Sequence, residues 1–226
     1  MKPVRRALGS GRDWLAVSSM LLSMLPCGTA IAESPPATSP ATATDLLAAF
    51  KGLVGLEARF HEEKRLALLA APLISDGRIY FLAPDHLTRQ VTSPFPGRTT
   101  IDGTTLTFED DRGRHSISLR ENPVARLFVV SFEEILAGDA TALSRTYAVT
   151  LRAGPDGSWS LLLEPIAEPM TQLVAQIEVD GRGRTIDRML IREVGGDQTL
   201  TTFSSVNTAR RFSAEERGRI FPASRP

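Results

Sequence analysis

Phe60 to Pro96, FHEEKRLALLAAPLISDGRIYFLAPDHLTRQVTSPFP, decides how the chain is read. It holds three strand-like runs, separated by an apolar hinge at Leu66 to Leu73 and by a Pro84-Asp85 turn. Leading into the first run, Leu56, Ala58 and Phe60 alternate with Glu57, Arg59 and His61, the period-two pattern of a strand with one buried face. Ile79 and Phe81 share one face of the second run while Tyr80 and Leu82 take the other, so this strand needs cover on both sides. The third places Leu87, Arg89 and Val91 opposite His86, Thr88, Gln90 and Thr92, and an arginine interrupts an otherwise apolar row. Nothing in the stretch could run a covalent reaction. The pattern predicts a binder, with these strands forming the first half of a curved sheet whose concave face holds something apolar.

Strand signals continue downstream at the spacing of antiparallel meanders. Ile101 precedes an Asp102-Gly103 turn, Leu106 and Phe108 share a face, and the acidic Glu109-Asp110-Asp111 run suits a solvated hairpin end before His115, Ile117 and Leu119. Beyond Pro123 the period turns helical, with Val124, Leu127, Phe128, Ser131 and Ile135 on one side and Gly138-Asp139 as the stop. A short helix over Ala140 to Leu143 follows. Alternation resumes at Tyr147, Val149 and Leu151, then Trp159, Leu161 and Leu163, and in the runs Gln176 to Val179, Thr185 to Val194 and Gln198 to Val206. No crossover helix separates consecutive strands, which predicts an α+β chain, mainly antiparallel β, of about ten strands and two or three helices. One of those helices precedes the strands, with Leu46, Leu47, Phe50, Leu53 and Val54 at helical spacing behind a Thr44-Asp45 cap.

The N-terminus carries the pattern of an export signal. Lys2, Arg5, Arg6 and Arg12 precede the apolar segment Trp14 to Leu25, and Ala30 and Ala32 form an A-x-A cleavage site. Residues 1–32 are therefore expected to be removed, leaving a flexible leader over residues 33–44 and a single domain over residues 45–226. Cys27, the sole cysteine, would leave with the signal; its alternative use as a lipidation site is opposed by Pro26 before it. The processed chain would then have no disulfide, thiol nucleophile or cysteine ligand. The whole chain has 26 basic and 26 acidic residues, and removing four basic residues and Asp13 leaves a mildly acidic protein, unlike a nucleic-acid binder.

Chemistry-bearing motifs are missing from the sequence. His61, His86 and His115 are too far apart and out of phase for a ligand motif, and neither a G-x-S-x-G elbow nor a phosphate-cradling glycine loop occurs. Glu62 and Glu63 adjoin in a strand and point to opposite faces, so they are no carboxylate pair. The expectation is a non-enzyme without metal or cofactor. Arg210-Arg211 and Glu215-Glu216 suggest a solvated terminal segment.

A family resemblance rests on motifs in order. Phe60, Lys64, Pro72-Leu73, Ser75-x-Gly77-x-Ile79-x-Phe81, Pro84-Asp85-x-Leu87 and Ser93-Pro94-Phe95 resemble the opening signature of LolA-type periplasmic lipoprotein carriers. Asp102-Gly103, Gly138-Asp139, Trp159-x-Leu161-x-Leu163-x-Pro165, Gly196-Asp197-x-Thr199, Phe203 and Asn207 extend it over nearly the whole processed chain. The pattern is most similar to a divergent branch thought to work beside lipid exporters.

The resemblance implies an incomplete, open antiparallel β-barrel, lidded by helices, that shields acyl chains in the periplasm. Cargo would be a lipoprotein or a related lipid, and partners an inner-membrane exporter or release complex and an outer-membrane acceptor, with the protein monomeric. A second reading makes it an accessory module of a lipid or glycolipid exporter that carries no lipoprotein. The expected cavity lining is Phe60, Ile79, Phe81, Leu87, Arg89, Leu106, Phe108, Leu161 and Phe203; the expected lid is the helix bearing Val124, Leu127, Phe128 and Ile135, with Leu66 to Pro72 as a second movable segment. The family's housekeeping carriers commonly place a basic residue where Ala83 stands and an aromatic one where Arg89 stands. Arg89 is expected to meet a cargo head group or a lid carbonyl.

Overall fold

Eleven antiparallel strands form one unclosed sheet, and the sequence pattern explains which side of it is dry. The computed structural model describes residues 40 and 42–222, so the expected export signal, Cys27 and the leader up to residue 39 lie outside the described residues. The strands are β1 (Gly55–Arg65), β2 (Leu73–Leu82), β3 (His86–Ser93), β4 (Gly97–Asp102), β5 (Thr105–Asp110), β6 (Gly113–Ser118), β7 (Tyr147–Ala153), β8 (Ser158–Pro165), β9 (Val174–Arg182), β10 (Thr185–Glu193) and β11 (Gln198–Asn207). The helices are α1 (Ala43–Phe50), α2 (Pro123–Ala137), α3 (Ala140–Leu143), α4 (Met170–Leu173) and α5 (Ala214–Ile220). The strand order is β6-β5-β4-β3-β2-β1-β11-β10-β9-β8-β7. Both free edges, β6 and β7, are therefore neighbours in sequence, joined by the segment that contains α2 and α3.

Register puts the alternating apolar residues on one face. Leu56 pairs with Phe81, Phe81 with Leu87, Leu87 with Ile101, Ile101 with Leu106 and Leu106 with Ile117, a single row across six strands. On the other half, Leu151 pairs with Leu161, Leu161 with Val179 and Val179 with Met189. Cross-strand partners share a face, so both rows look inward. There α1 buries Leu46, Leu47 and Phe50 against Trp159, Leu161, Leu163 and Val179, and Ile135 of α2 joins the same cluster. Leu136 of α2 packs with Leu53, Leu56, Ala58 and Phe81, and Val129 packs with Ile101 and Leu106. One apolar face thus acquires two helical covers.

Three local readings are corrected. The N-cap of α1 is Thr42 rather than Thr44: its hydroxyl accepts from the Asp45 backbone N–H while the Asp45 carboxylate accepts from the Thr42 N–H, a capping box. Val54, placed on the helical stripe, lies beyond the end of α1 and is exposed. The terminal charged segment is also not simply solvated. Ser213 and Glu216 form a capping box that starts α5, and Phe212 and Ile220 pack on Tyr80 on the outer face of β2. Arg210 holds Glu57 at 2.9 Å and also pairs with Glu216, tying that segment to β1. Thr88 donates to the Ile220 carbonyl at 2.8 Å. This is the outer cover that the two-sided apolar pattern of β2 requires.

Gly77 explains the glycine in the opening signature. A Cβ there would collide with the Gln90 carbonyl oxygen and with the Phe60 ring, which lies across the β2 backbone. Gly77→Val should therefore displace Phe60 and destabilise the protein by about 1–3 kcal/mol, the range for overpacking. The fall should appear as a lower urea midpoint at unchanged slope; an unchanged midpoint would contradict this packing.

Candidate functional site

Between the inner face and α2 lies a wholly apolar cavity of about 40 Å³. Leu56 and Ala58 of β1, Ile79 of β2, Val179 of β9, Ile186 and Met189 of β10, and Phe203 and Val206 of β11 form its floor and walls, with Ile135 and Leu136 of α2 above. The sheet supplies this floor because β1 and β11, the first and last strands in sequence, are paired at its centre, with Phe60 opposite Phe203. The two halves of the trough therefore meet beneath α2.

The expected lining residues all lie on this face, but they divide among different surroundings. Ile79 and Phe203 line the cavity, and Ile135 of the expected lid roofs it. Phe81 belongs to the apolar cluster beneath Leu136, Leu106 to the one beneath Val129, and Leu87 touches both. Leu161 is sealed under α1. Phe108 is 43% exposed, near the β6 edge. The side chains of Val124, Leu127 and Phe128, the remaining lid residues, lie outside the described ones. Sequence reasoning did not single out Leu56, Ala58, Leu136, Val179, Ile186, Met189 or Val206 as lining, although its strand runs take in all of them except Leu136.

Arg89 sits at one end of the trough. Its Nη2 donates to Glu62 Oε1 at 2.8 Å and to Ser75 Oγ at 3.3 Å, and its guanidinium carbon lies 4.3 Å from the centre of the Phe60 ring. Those partners all belong to the sheet. The pairing explains how an arginine stands in an apolar row: Glu62 supplies the counter-charge and Phe60 a cation–π face. Ala83 stacks into the cluster around Leu56 and Phe81, as expected for a residue without charge. Outward, His61 Nδ1 lies 2.8 Å from Asp76 and His86 Nδ1 lies 3.1 Å from Asp102. Among the described residues, no group of His, Cys, Asp or Glu is assembled to hold a metal ion.

The roof carries two carboxyl groups that its seating disfavours. Burial, and then the nearby Asp85 and Glu134 charges, push Glu133 up to about 7. Glu134 is also raised, chiefly by burial and then by Asp139, and its Oε2 is buried without a hydrogen-bond partner. Gly138, at φ +69°, ends α2 so close to α1 that a Cβ would strike the Leu47 carbonyl oxygen. Helix α2 thus ends closely against α1, and the apolar contacts of Val129, Ile135 and Leu136 oppose the desolvation of its acids.

The sequence matches the family described as outer membrane lipoprotein carrier protein LolA-like over residues 40–217. The chain belongs to this LolA-like family. No curated protein sequence matches it. Solved structures with similar chain paths include a LolA superfamily protein from Nitrosomonas europaea, at 12% identity and a TM-score of 0.43, covering 80% of this chain and 98% of that one. The MucA/MucB complex of Pseudomonas aeruginosa matches at 14% identity and 0.46, covering 76% of this chain and 59% of that one. A putative outer membrane lipoprotein-sorting protein domain from Vibrio parahaemolyticus matches at 9% and 0.45, covering 78% and 95%.

A pH dependence follows from Glu133. Its folded pKa of about 7 lies above the ordinary 4.5, so between these values the unfolded chain has released a proton that the folded chain keeps. Stability should therefore fall as pH rises through that window. Glu133→Gln should raise stability at pH 8 relative to pH 5 by about 1–2 kcal/mol, a figure discounted for the residue's partial exposure. Unfolding midpoints at the two pH values measure this, and an unchanged difference in the variant would contradict it.

Proposed function

We propose that the protein is a periplasmic carrier that shields the acyl chains of a lipoprotein or a related lipid between the inner and outer membranes. The observation that carries this reading is the apolar cavity between α2 and the sheet. Family membership agrees with it. On this reading an inner-membrane release complex or exporter loads the protein, and an outer-membrane acceptor unloads it. The protein acts by binding alone, as a monomer and without a cofactor.

At about 40 Å³ the cavity is far too small for an acyl chain, so loading requires α2 to lift and the cargo to replace it. Leaving one long acyl chain in water costs on the order of 10 kcal/mol at about 0.8 kcal/mol per methylene. Lifting α2 exposes Val129, Ile135 and Leu136, at about 1.5–3 kcal/mol each, and returns Glu133 and Glu134 to water. Cargo therefore exchanges for roof at a modest net free energy, which is what a carrier that must also release needs. The small volume also supports a second reading, an accessory module that binds a lipid exporter through this half-barrel without carrying lipid.

A fluorescent fatty acid separates the two. Protein purified from the periplasm should bind it saturably, and Ile79→Asp should weaken binding at least about tenfold while the variant stays folded, because an unpaired carboxylate on the cavity floor is costly. A folded wild-type protein that takes up no probe would favour the accessory module.

A further inference from the structure

A rim of exposed apolar side chains occupies one end of the sheet. In the antiparallel order, the β1–β2, β3–β4 and β10–β11 connections and the segment after β8 all emerge there, as the pairs Lys64 with Leu73, Val91 with Gly97, Arg65 with Gln198 and Glu193 with Val174 require. The β1–β2 connection carries Leu68, 97% exposed, and Leu69, and leads to Leu73 and Ile74 at the start of β2. The β3–β4 connection carries Phe95, 84% exposed. Val194 stands on the β10–β11 connection and Ile166 just after β8, both exposed. Among the described residues, every exposed large apolar side chain except Val54 and Phe108 belongs to this rim. Single exposed apolar residues are ordinary, whereas their concentration at one end marks a contact surface.

The shape and charge of the rim favour a fluid partner over a folded one. The first and third tips are tied, with Ala67 N–H donating to Asp197 Oδ1 at 2.8 Å, while the second projects by itself. An open groove of about 620 Å³, walled by Pro72, Leu73, Ile74, Pro94 and Phe95, separates the first tip from the second. A lipid interface conforms to such projections without a matching mould. Charges of both signs ring the rim: Lys64, Arg65, Arg98 and Arg112 stand among Glu63, Asp76, Asp197 and the Glu109-Asp110-Asp111 run, whose hairpin turns at the same end beside Phe95, so no strongly basic field draws it to an anionic partner. No helix among the described residues is long and apolar enough to cross a bilayer.

We propose that this rim seats the protein on the surface of a neutral lipid bilayer, with Leu68, Leu69 and Phe95 entering the boundary between head groups and acyl chains. Glu62 and Arg89 line the same groove, so the end of the trough faces the membrane. The proposal rests on the carrier reading in one respect, that the trough facing the membrane is the one that takes up lipid.

Flotation of the periplasm-purified protein with phosphatidylcholine vesicles, at low and high salt, tests it. The expected result is co-flotation that salt does not abolish, reduced at least about tenfold in a Leu68→Ser/Phe95→Ser double variant, with uptake of a fluorescent fatty acid in vesicle-free solution unchanged. Equal flotation of variant and wild type, or no flotation of the wild type, would overturn the proposal. So would loss of retention by detergent-solubilised membrane proteins in the variant while vesicle binding persists, since the tips would then serve a protein. A wild type that floats but takes up no fatty acid would overturn the carrier reading and leave the rim to be decided by the double variant.

Discussion

The two free edges of the sheet are consecutive in the chain, and most of the structure follows from that. β6 and β7 stand at opposite ends of an eleven-strand order, and the chain between them, residues 119–146, must travel from one edge to the other. Its helical periodicity and its Pro123 start prevent it from adding the strand that would close a barrel. It therefore crosses as α2 and α3. A sheet with unpaired edges and an apolar inner face needs a cover, and the connecting segment provides it. The pairing of β1 with β11 then sets the cavity under the C-terminal half of that cover.

The cover is held by apolar contacts that the burial of two acids opposes. Val129, Ile135 and Leu136 bury apolar surface against three regions of the inner face. Glu133 and Glu134 on the same helix are taken partly out of water, without compensation for Glu134 Oε2. A roof of pure leucine would sit more firmly and lift less readily. At the trough's end, the Arg89–Glu62 pair over Phe60 places a polar group where the apolar floor stops. One face thus grades from sealed core beneath α1, through the α2 roof, to a polar mouth beside exposed apolar tips.

Much of this was legible in the sequence because strand alternation and helical spacing are local. The row from Leu56 through Phe81 and Leu87 to Leu106 follows from period two, and α2 from the spacing that ends at Gly138. The cavity itself was less legible. Ala58 is too small to announce itself, and the register of Val206 shifts across an irregularity between Glu57 and Arg59 that no pattern signals. The partner of Arg89 is Glu62, 27 residues away on another strand, so it becomes visible only once register is known. Helix α5 is short and charged, and its sole signal was the Ser213-x-x-Glu216 capping box; the apolar contacts that hold it lie at its ends, in Phe212 and Ile220. Positions of side chains set by long-range pairing are what the sequence leaves open.

On the proposed carrier reading, α2 must leave the sheet before the trough can take up an acyl chain. Leu136 and Leu56 pack in one cluster on opposite sides of that boundary. Cysteines at both positions, joined by a short reducible thiol cross-linker in the purified protein, would fix the roof. Uptake of a fluorescent fatty acid should then be lost, and should return when the cross-link is cleaved. Equal uptake by the cross-linked and released protein would contradict the account.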